Sequence, residues 1–380
     1  MFYEIKEAAV KIAQIAPLWE TVPPQTYGGT ELVVANLARE LAKKGHQVTL
    51  FGIPHPDTPL EGIRVECNID TPLRSRGFTS GDALYYELQL LEMIFSKASE
   101  FDVIHNHLGY QALAFASLSN TPVLTTLHGI FEPAPFKECI QSFRHLPYVS
   151  ISDYQRKPCS NLNYVSTVYH GIRVDQYTYD TDAENKKYLA FLGRFSPEKG
   201  AHHAILLAQE TGWPLVLAGK IVDEFQHYFD TQIQPHLDGD QIRYIGEVNL
   251  AEKNDLLKNA AATLCPIEWA EPFGLVLIES LACGTPVLSL RNGSVPELIE
   301  DGVTGLISNN YDELKTSLKK LSTLSRIECR RQAETRFCAS RMAEDYLRIY
   351  HQISRNKVLK PQFAKEKIPT QYFPLSGGVA

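Results

Sequence analysis

The sequence predicts an α/β protein of two Rossmann-like domains, and three observations predict it. A chain of 380 residues is about two ordinary domains long, and either half can bury a core of its own. Short apolar stretches alternate with helical ones along most of its length, the order that builds a parallel sheet. From Gly274 to Cys283 a helix apolar on every side stops at Gly284, passes Pro286 and enters the strand-like Val287-Leu288-Ser289-Leu290, which is half of one Rossmann-type unit.

Taken in order, residues 10–16 read as a first strand and 17–27 (PLWETVPPQTY) as a loop too rich in proline for a regular element. Gly28-Gly29-Thr30-Glu31 opens a helix to about Lys44, with Leu32, Val33, Leu37 and Leu41 on one side and Gly45 as its stop. Strand, glycine-rich turn and helix form a phosphate-capable turn, although a turn needing positive φ explains two glycines equally well. Residues 47–53 are a strand and 54–81 irregular, with Arg64, Arg74 and Arg76 either an acceptor-side loop or a solvated surface. Helix 83–98 and strand 101–106 follow, the strand ending in His105-Asn106-His107. Histidines at i and i+2 share a strand face as a metal pair does, but no third ligand follows at metal-site spacing. Helix 110–118 leads to strand 122–127, which delivers His128-Gly129 at its carboxyl end, where open α/β sheets bind ligands.

Strands at 148–152 and 164–169 continue the alternation to His170-Gly171-Ile172-Arg173, and the polar run 175–187 reads as an interdomain linker. Its Asp180-Thr181-Asp182 lies in a solvated run and not at the end of a buried strand, so it is read as surface. Strand 188–193 restarts the alternation and enters Arg194-Phe195-Ser196-Pro197-Glu198-Lys199-Gly200, with Ser196 as a candidate N-cap. Arg194 and Lys199 oppose the macrodipole there, so an anion between them relieves the repulsion. Further strands are expected at 215–218, 242–245, 263–266 and 287–290, a capping box at Ser294 and Glu297, helix over 311–350, and a tail at 360–380.

Composition bounds the function. A net charge of −7, from 37 Lys and Arg against 44 Asp and Glu, argues against nucleic acid as the main partner. Seven cysteines without paired spacing read as reduced thiols, hence a cytoplasmic protein, and the first residues, with Glu4 and Glu7, do not read as a signal peptide. No apolar run approaches the roughly 18 residues of a membrane span, which leaves only peripheral membrane contact.

The 268–300 stretch carries the chemistry. Glu279 lies inside the apolar helix and requires a polar partner, either a Lys or Arg or a ligand. The helix is expected to start near Phe273, where Pro272-Phe273-Gly274-Leu275 offers free N–H groups and close backbone approach, an anion site. Glu271 lies roughly 12 Å from Glu279 at 1.5 Å per residue, wider than the carboxylate pairs that hydrolyse glycosides. A diol at Glu279, phosphates at the helix start and a hydroxyl-rich group at Glu271 describe a nucleotide sugar.

Glu271-x7-Glu279 within EPFGLVLIESLACGTPV resembles the signature of the retaining glycosyltransferases of family 4. The resemblance implies the GT-B fold, two Rossmann-like domains facing each other across a cleft: 1–178 on the acceptor side, 179–339 on the nucleotide-sugar side, and about 340–380 packing back onto the first. It implies that Glu271 contacts the donor sugar, that the amides of Phe273, Gly274 and Leu275 contact sugar and phosphate, and that Glu279 binds the ribose. Gly28 and Gly29 face the donor, His128 touches the sugar near the reacting carbon, Arg194 and Lys199 hold the diphosphate, and the base lies near Val248. His170 and Arg173 depart from the family's Asn-Gly-Ile/Val-Asp. The expected reaction moves a hexose-type unit from a UDP- or GDP-linked donor to a sugar, lipid-linked or small-molecule acceptor, with retention and with neither metal nor cofactor. A nucleotide-sugar 2-epimerase or phosphorylase of similar fold, and a non-catalytic sugar-binding protein, are the alternatives.

Overall fold

The computed structural model describes residues 9–26, 28–131, 134–182 and 186–355; Tyr27, part of the expected linker (183–185) and the tail at 360–380 lie outside them. A first sheet contains β1 (Lys11–Ile15), β2 (Gln47–Phe51), β3 (Arg64–Glu66), β4 (Val103–Asn106), β5 (Val123–Thr126), β6 (Tyr148–Ser150) and β7 (Tyr164–Thr167). All pairings are parallel, in the order β3-β2-β1-β4-β5-β6-β7. Helices α1 (Gly29–Lys43), α2 (Ser80–Phe95), α3 (Gln111–Leu118) and α4 (Ala134–Cys139) belong to this half. The second sheet, also parallel, orders β8 (Leu189–Leu192), β9 (Leu215–Ala218), β10 (Ile242–Tyr244), β11 (Ala262–Cys265), β12 (Val287–Leu290) and β13 (Gly305–Ser308) as β10-β9-β8-β11-β12-β13. With it run α5 (Ala201–Thr211), α6 (Gln226–Gln232), α7 (Leu250–Asn259), α8 (Leu275–Ala282), α9 (Val295–Leu298) and α10 (Tyr311–Ser317).

In each sheet the chain winds outward over three strands and returns to the centre, so the strand order reverses between β1 and β4 and again between β8 and β11. Such reversals open a crevice at the carboxyl ends of the strands. The loops after β1, β4, β8 and β11 deliver Gly28, His107, Arg194 and Glu271. The central strands β4, β5, β9 and β11 are buried at every position, as strands covered on both faces must be.

Several elements differ from the sequence reading, among them β13 and α4, for which it expected no element. Arg64–Glu66 is not irregular: it pairs with β2 at the sheet edge, but three half-polar residues carry no periodicity. The helix expected over 311–350 is broken into α10, a 3₁₀ stretch (Leu318–Thr323), α11 (Arg326–Arg336) and α12 (Ala339–Arg355). α8 begins at Leu275 and not at Phe273, because Gly274 takes φ 88° and turns the chain into the helix.

The halves are joined at two adjacent crossings. Ile172 N–H donates to the Phe337 carbonyl and Ala339 N–H to the Ile172 carbonyl, each at 2.8 Å. Glu297 of α9 accepts from the backbone N–H of Asp153 (2.8 Å) and Tyr154 (2.7 Å) and from the Tyr169 hydroxyl (3.1 Å). α12 then packs Met342, Ala343, Tyr346, Ile349, Tyr350 and Ile353 into the core formed by β1 and α1.

Candidate functional site

Facing the crevice of both sheets lies a cavity of about 380 Å³ lined by His128, His170, Arg194, Lys199, Glu271, Phe273, Gly274 and Leu275, and by Gly29 from α1. A second chamber of about 160 Å³ holds Gly28, Lys220, Glu247, Val248, Lys253 and Glu279. The two share Gly29, Leu192, Gly193, Leu275 and Val276 and so form one cleft. The residues expected to bind the donor or take part in catalysis (Gly28, Gly29, His128, Arg194, Lys199, Val248, Glu271, Phe273, Gly274, Leu275 and Glu279) therefore lie along a single groove, with the start of α8 at its middle.

In the larger chamber Lys199 Nζ pairs with Glu271 Oε2 and lies 5.2 Å from the centre of the Trp269 ring, whose indole N–H donates to the same carboxylate oxygen (2.8 Å). Glu271 is held there by its backbone, for its carbonyl accepts from Ser294 N–H (2.9 Å), and Gly293, at φ 58°, lies so close that a Cβ would meet the Glu271 carbonyl at 2.2 Å. Only glycine fits that contact. Arg194 pairs with Glu198 (2.8 Å), and Ser196 Oγ donates to the same Glu198 oxygen (2.6 Å). Ser196 does sit at an N-cap position with Pro197 following it, but of a 3₁₀ turn (Pro197–Lys199), and its side chain makes no capping bond; α5 starts only after Gly200. Ser294 and Glu297 form no capping box either, since Ser294 Oγ donates to the Phe273 carbonyl (2.8 Å) while Glu297 serves the interdomain contacts.

In the smaller chamber the partner that Glu279 required is Lys253 of α7 (2.6 Å), with the Tyr177 hydroxyl at 2.9 Å. The sequence pointed to neither residue, because both reach Glu279 only through tertiary packing. Burial and the adjacent Glu279 push the Tyr177 phenol well above its usual range, so it donates to the carboxylate. Lys220, after β9, and Glu247 stand at the mouth of this chamber, and Thr26 Oγ1 bridges the halves by donating to Glu247 (3.0 Å). Gly219, at φ 144°, packs on the Gly193 carbonyl so closely that a Cβ would lie 1.7 Å from its oxygen.

Four histidines line up between the cleft and α12. His128 stacks on His170 (5.0 Å between ring centres, 17°) and meets His107, which lies 3.8 Å from His105. His105 and His107 are no metal pair: they sit in a hydrogen-bonded network with Gln14, Thr126 and Tyr350. The Gln14 amide oxygen accepts from His107 Nε2 (2.8 Å), so His107 Nδ1 bears a lone pair and accepts from His128 Nε2–H (2.9 Å). His128 Nδ1 is then unprotonated. It is buried without a hydrogen-bond partner among the described residues, and an orphan acceptor is tolerated better than an orphan N–H. Burial brings His128 down to about 3 and holds His105, His107 and His170 well below the usual imidazole range, so all four are neutral at pH 7. Cys265 lines the cavity, but burial pushes its thiol up to about 12 and leaves it a poor nucleophile.

Arg64, Arg74 and Arg76 line neither chamber; they pair with Glu66 (2.7 Å), Glu20 (2.5 Å) and Asp70 (3.2 Å). Asp180 pairs with Lys186 at 2.8 Å, away from both chambers.

Comparison with known proteins is consistent with this geometry. Residues 180–336 match the family described as glycosyl transferases group 1, and residues 27–174 match glycosyltransferase family 4. Glycogen synthase of Mycobacterium tuberculosis (strain CDC 1551 / Oshkosh) is 24% identical over 345 residues, covering 76% of this chain and 80% of its own. The crystal structure of AviGT4, a glycosyltransferase involved in avilamycin A biosynthesis, superposes with TM-score 0.68 at 26% identity, covering 91% of this chain and 98% of its own. Anabaena Alr3699/HepE, solved with UDP and glucose, superposes with TM-score 0.70 at 18% identity, covering 90% and 100%. Two parallel-sheet domains enclosing such a groove are the GT-B architecture of a glycosyltransferase. With both halves matched, the chain belongs to the group 1, family 4 type of glycosyltransferases.

Proposed function

We propose that the enzyme moves a hexose-type unit from a nucleoside-diphosphate sugar to a carbohydrate or lipid-linked acceptor, with retention at the anomeric carbon and without a metal ion in the reaction. The observation that carries this reading is the continuity of the cleft. One end presents Glu271, Lys199 and His128, the other Glu279, Lys253 and Val248, and the start of α8 lies between them. The nucleoside occupies the smaller chamber, with its ribose hydroxyls on Glu279 and its base near Val248. The diphosphate lies over the N–H groups of Gly274 and Leu275, where the helix dipole favours an anion, with Arg194, Lys199 and Lys220 as counter-charges. The sugar occupies the larger chamber, with its hydroxyls on Glu271 and His128 Nδ1 as an acceptor for one of them.

As the bond from the anomeric carbon to the diphosphate oxygen breaks, charge grows on the diphosphate, and fixed donors aimed at it lower the barrier. The acceptor hydroxyl adds from the same side and passes its proton to the departing diphosphate. UDP is supported as the nucleotide by the UDP-bound likeness, HepE.

Nucleoside diphosphates tested by thermal shift, then transfer from the matching sugar donors in excess chelator with the product's anomer read by NMR, test the proposal. At about 100 times its dissociation constant the correct diphosphate adds about 2.7 kcal/mol of stability. Transfer that stops in chelator and returns with Mn²⁺ or Mg²⁺ contradicts the metal-free reaction, and an inverted product contradicts retention.

A further inference from the structure

We infer that His202, His203 and Glu268 form a site for a borderline divalent cation of the Zn²⁺ type, and that the ion fastens together the two segments that carry Lys199 and Glu271. The histidines occupy the first turn of α5, and Glu268 lies in the loop between β11 and α8. Each offers one ligand atom, and these atoms lie within 4.8 Å of one another. None of the three residues lines the cleft.

The chemistry of the set favours such an ion. His203 Nε2 and Glu268 Oε1 are 2.9 Å apart, and ligands about 2.0–2.1 Å from a tetrahedral ion lie about 3.3 Å from each other. His202 Nδ1 is engaged by the Tyr228 hydroxyl at 2.7 Å, an outer partner of the kind that orients a ligating imidazole and leaves Nε2 for the metal. Glu268, with its side chain 48% exposed, can swing inward. Two imidazoles and one carboxylate suit Zn²⁺ better than Mg²⁺ or Ca²⁺, with water completing the fourth position. The alternative is an ordinary His203–Glu268 surface hydrogen bond beside an unrelated imidazole, which gathers no ion.

An ion here acts on the cleft through the chain. His202 follows Lys199 by three residues, Glu268 precedes Glu271 by three, and Glu268 N–H already donates to the Glu198 carbonyl (3.0 Å). A second tie between the same segments lessens the motion of the Lys199–Glu271 pair. This coupling rests on the proposed reading of the cleft, whereas the metal site does not.

The test uses the full chain freed of metal, titrated with CoCl₂ and with ZnCl₂. The expected result is the visible absorption of four-coordinate Co²⁺, displaced by Zn²⁺. His203→Gln and Glu268→Gln should each weaken Zn²⁺ at least about tenfold, and Tyr228→Phe about tenfold. Metal-free melting temperatures of the variants, unchanged from the parent, show that folding is not the cause. Absence of the Co²⁺ spectrum, or equal Zn²⁺ affinity in parent and variants, overturns the site. With Zn²⁺ bound, UDP should bind at least about fivefold tighter in the parent and not in Glu268→Gln. Equal UDP affinity with and without Zn²⁺ overturns the coupling, while failure of UDP to bind in either condition counts against the reading of the cleft.

Discussion

Lys199 and Arg194 differ in what their removal leaves behind. Arg194 has a half-buried partner in Glu198, 27% exposed, whereas Lys199 neutralises Glu271, whose side chain is only 8% exposed. If both stabilise the departing diphosphate, each contributes more in the transition state than in the ground state. Arg194→Ala and Lys199→Ala are each expected to lower kcat by at least about tenfold, near 1.4 kcal/mol, in single-turnover measurements that exclude product release. Lys199→Ala should in addition lower the melting temperature, because a buried carboxylate is left without its counter-charge; an unchanged chemical step in both variants would contradict the mechanism. Glu31, in the first turn of α1, offers a test by pH. Burial raises its carboxyl from 4.5 to about 7, with Glu20 adding to the rise. The folded protein thus binds more protons than the unfolded chain between those values, and stability falls as pH rises from 4.5 to 7. Glu31→Gln is expected to stabilise at pH 8 by on the order of 2 kcal/mol and to have little effect near pH 4, as read by urea unfolding at the two pH values.

At the scale of the element, α7 shows how a helix cap reaches the cleft. Asn249 accepts from the backbone N–H of Ala251 (2.9 Å) and Glu252 (3.1 Å), and Glu252 accepts from Asn249 N–H (2.9 Å). One turn on, the helix places Lys253 on Glu279. Asn249→Ala should cost about 1 kcal/mol of stability by chemical denaturation and weaken nucleoside diphosphate binding as the first turn of α7 frays. Wild-type affinity at reduced stability would confine the cap to folding. The capping boxes also mark how far the sequence could be read. Ser294-x-x-Glu297 has the pattern of a box and is none, because the Phe273 carbonyl and the Asp153 and Tyr154 amides take both side chains. Thr79-x-x-Asp82 and Asn249-x-x-Glu252 are true boxes that lie outside the sequence reading. Local spacing cannot show which tertiary partner competes for a side chain. Strands such as β8 (LAFL) and β9 (LVLA) were legible because their runs are apolar throughout, and the carboxylate inside α8 announced that it needed a partner. The partner's identity, Lys253, was not legible, since 26 residues separate it from Glu279 and only the packing of α7 on α8 brings them together.

Across the whole molecule, the two crossings between the halves are held to each other by the Ile172 hydrogen bonds, and what lies beyond the second crossing completes the first half. Removing α12, with a chain ending at Cys338, is expected to leave the β1–α1 core open on the side that Tyr346 and Tyr350 cover. The Gln14–His105–His107 network would lose its Tyr350 partner as well. Such a chain should aggregate or bind a hydrophobic dye at room temperature, whereas Tyr350→Phe, which keeps the ring, should stay folded; a soluble, dye-silent truncated chain would contradict this. The arrangement also imposes an order in time. A ribosome adding about 5–20 residues per second takes some tens of seconds to travel from β1 to α12. Through that interval the β1–α1 face has no cover of its own, while the second sheet draws all its strands from residues between 189 and 308 and can close before the chain is finished. The half synthesised first is therefore completed last, and its demand on chaperones is set by the time the ribosome needs to reach residue 355.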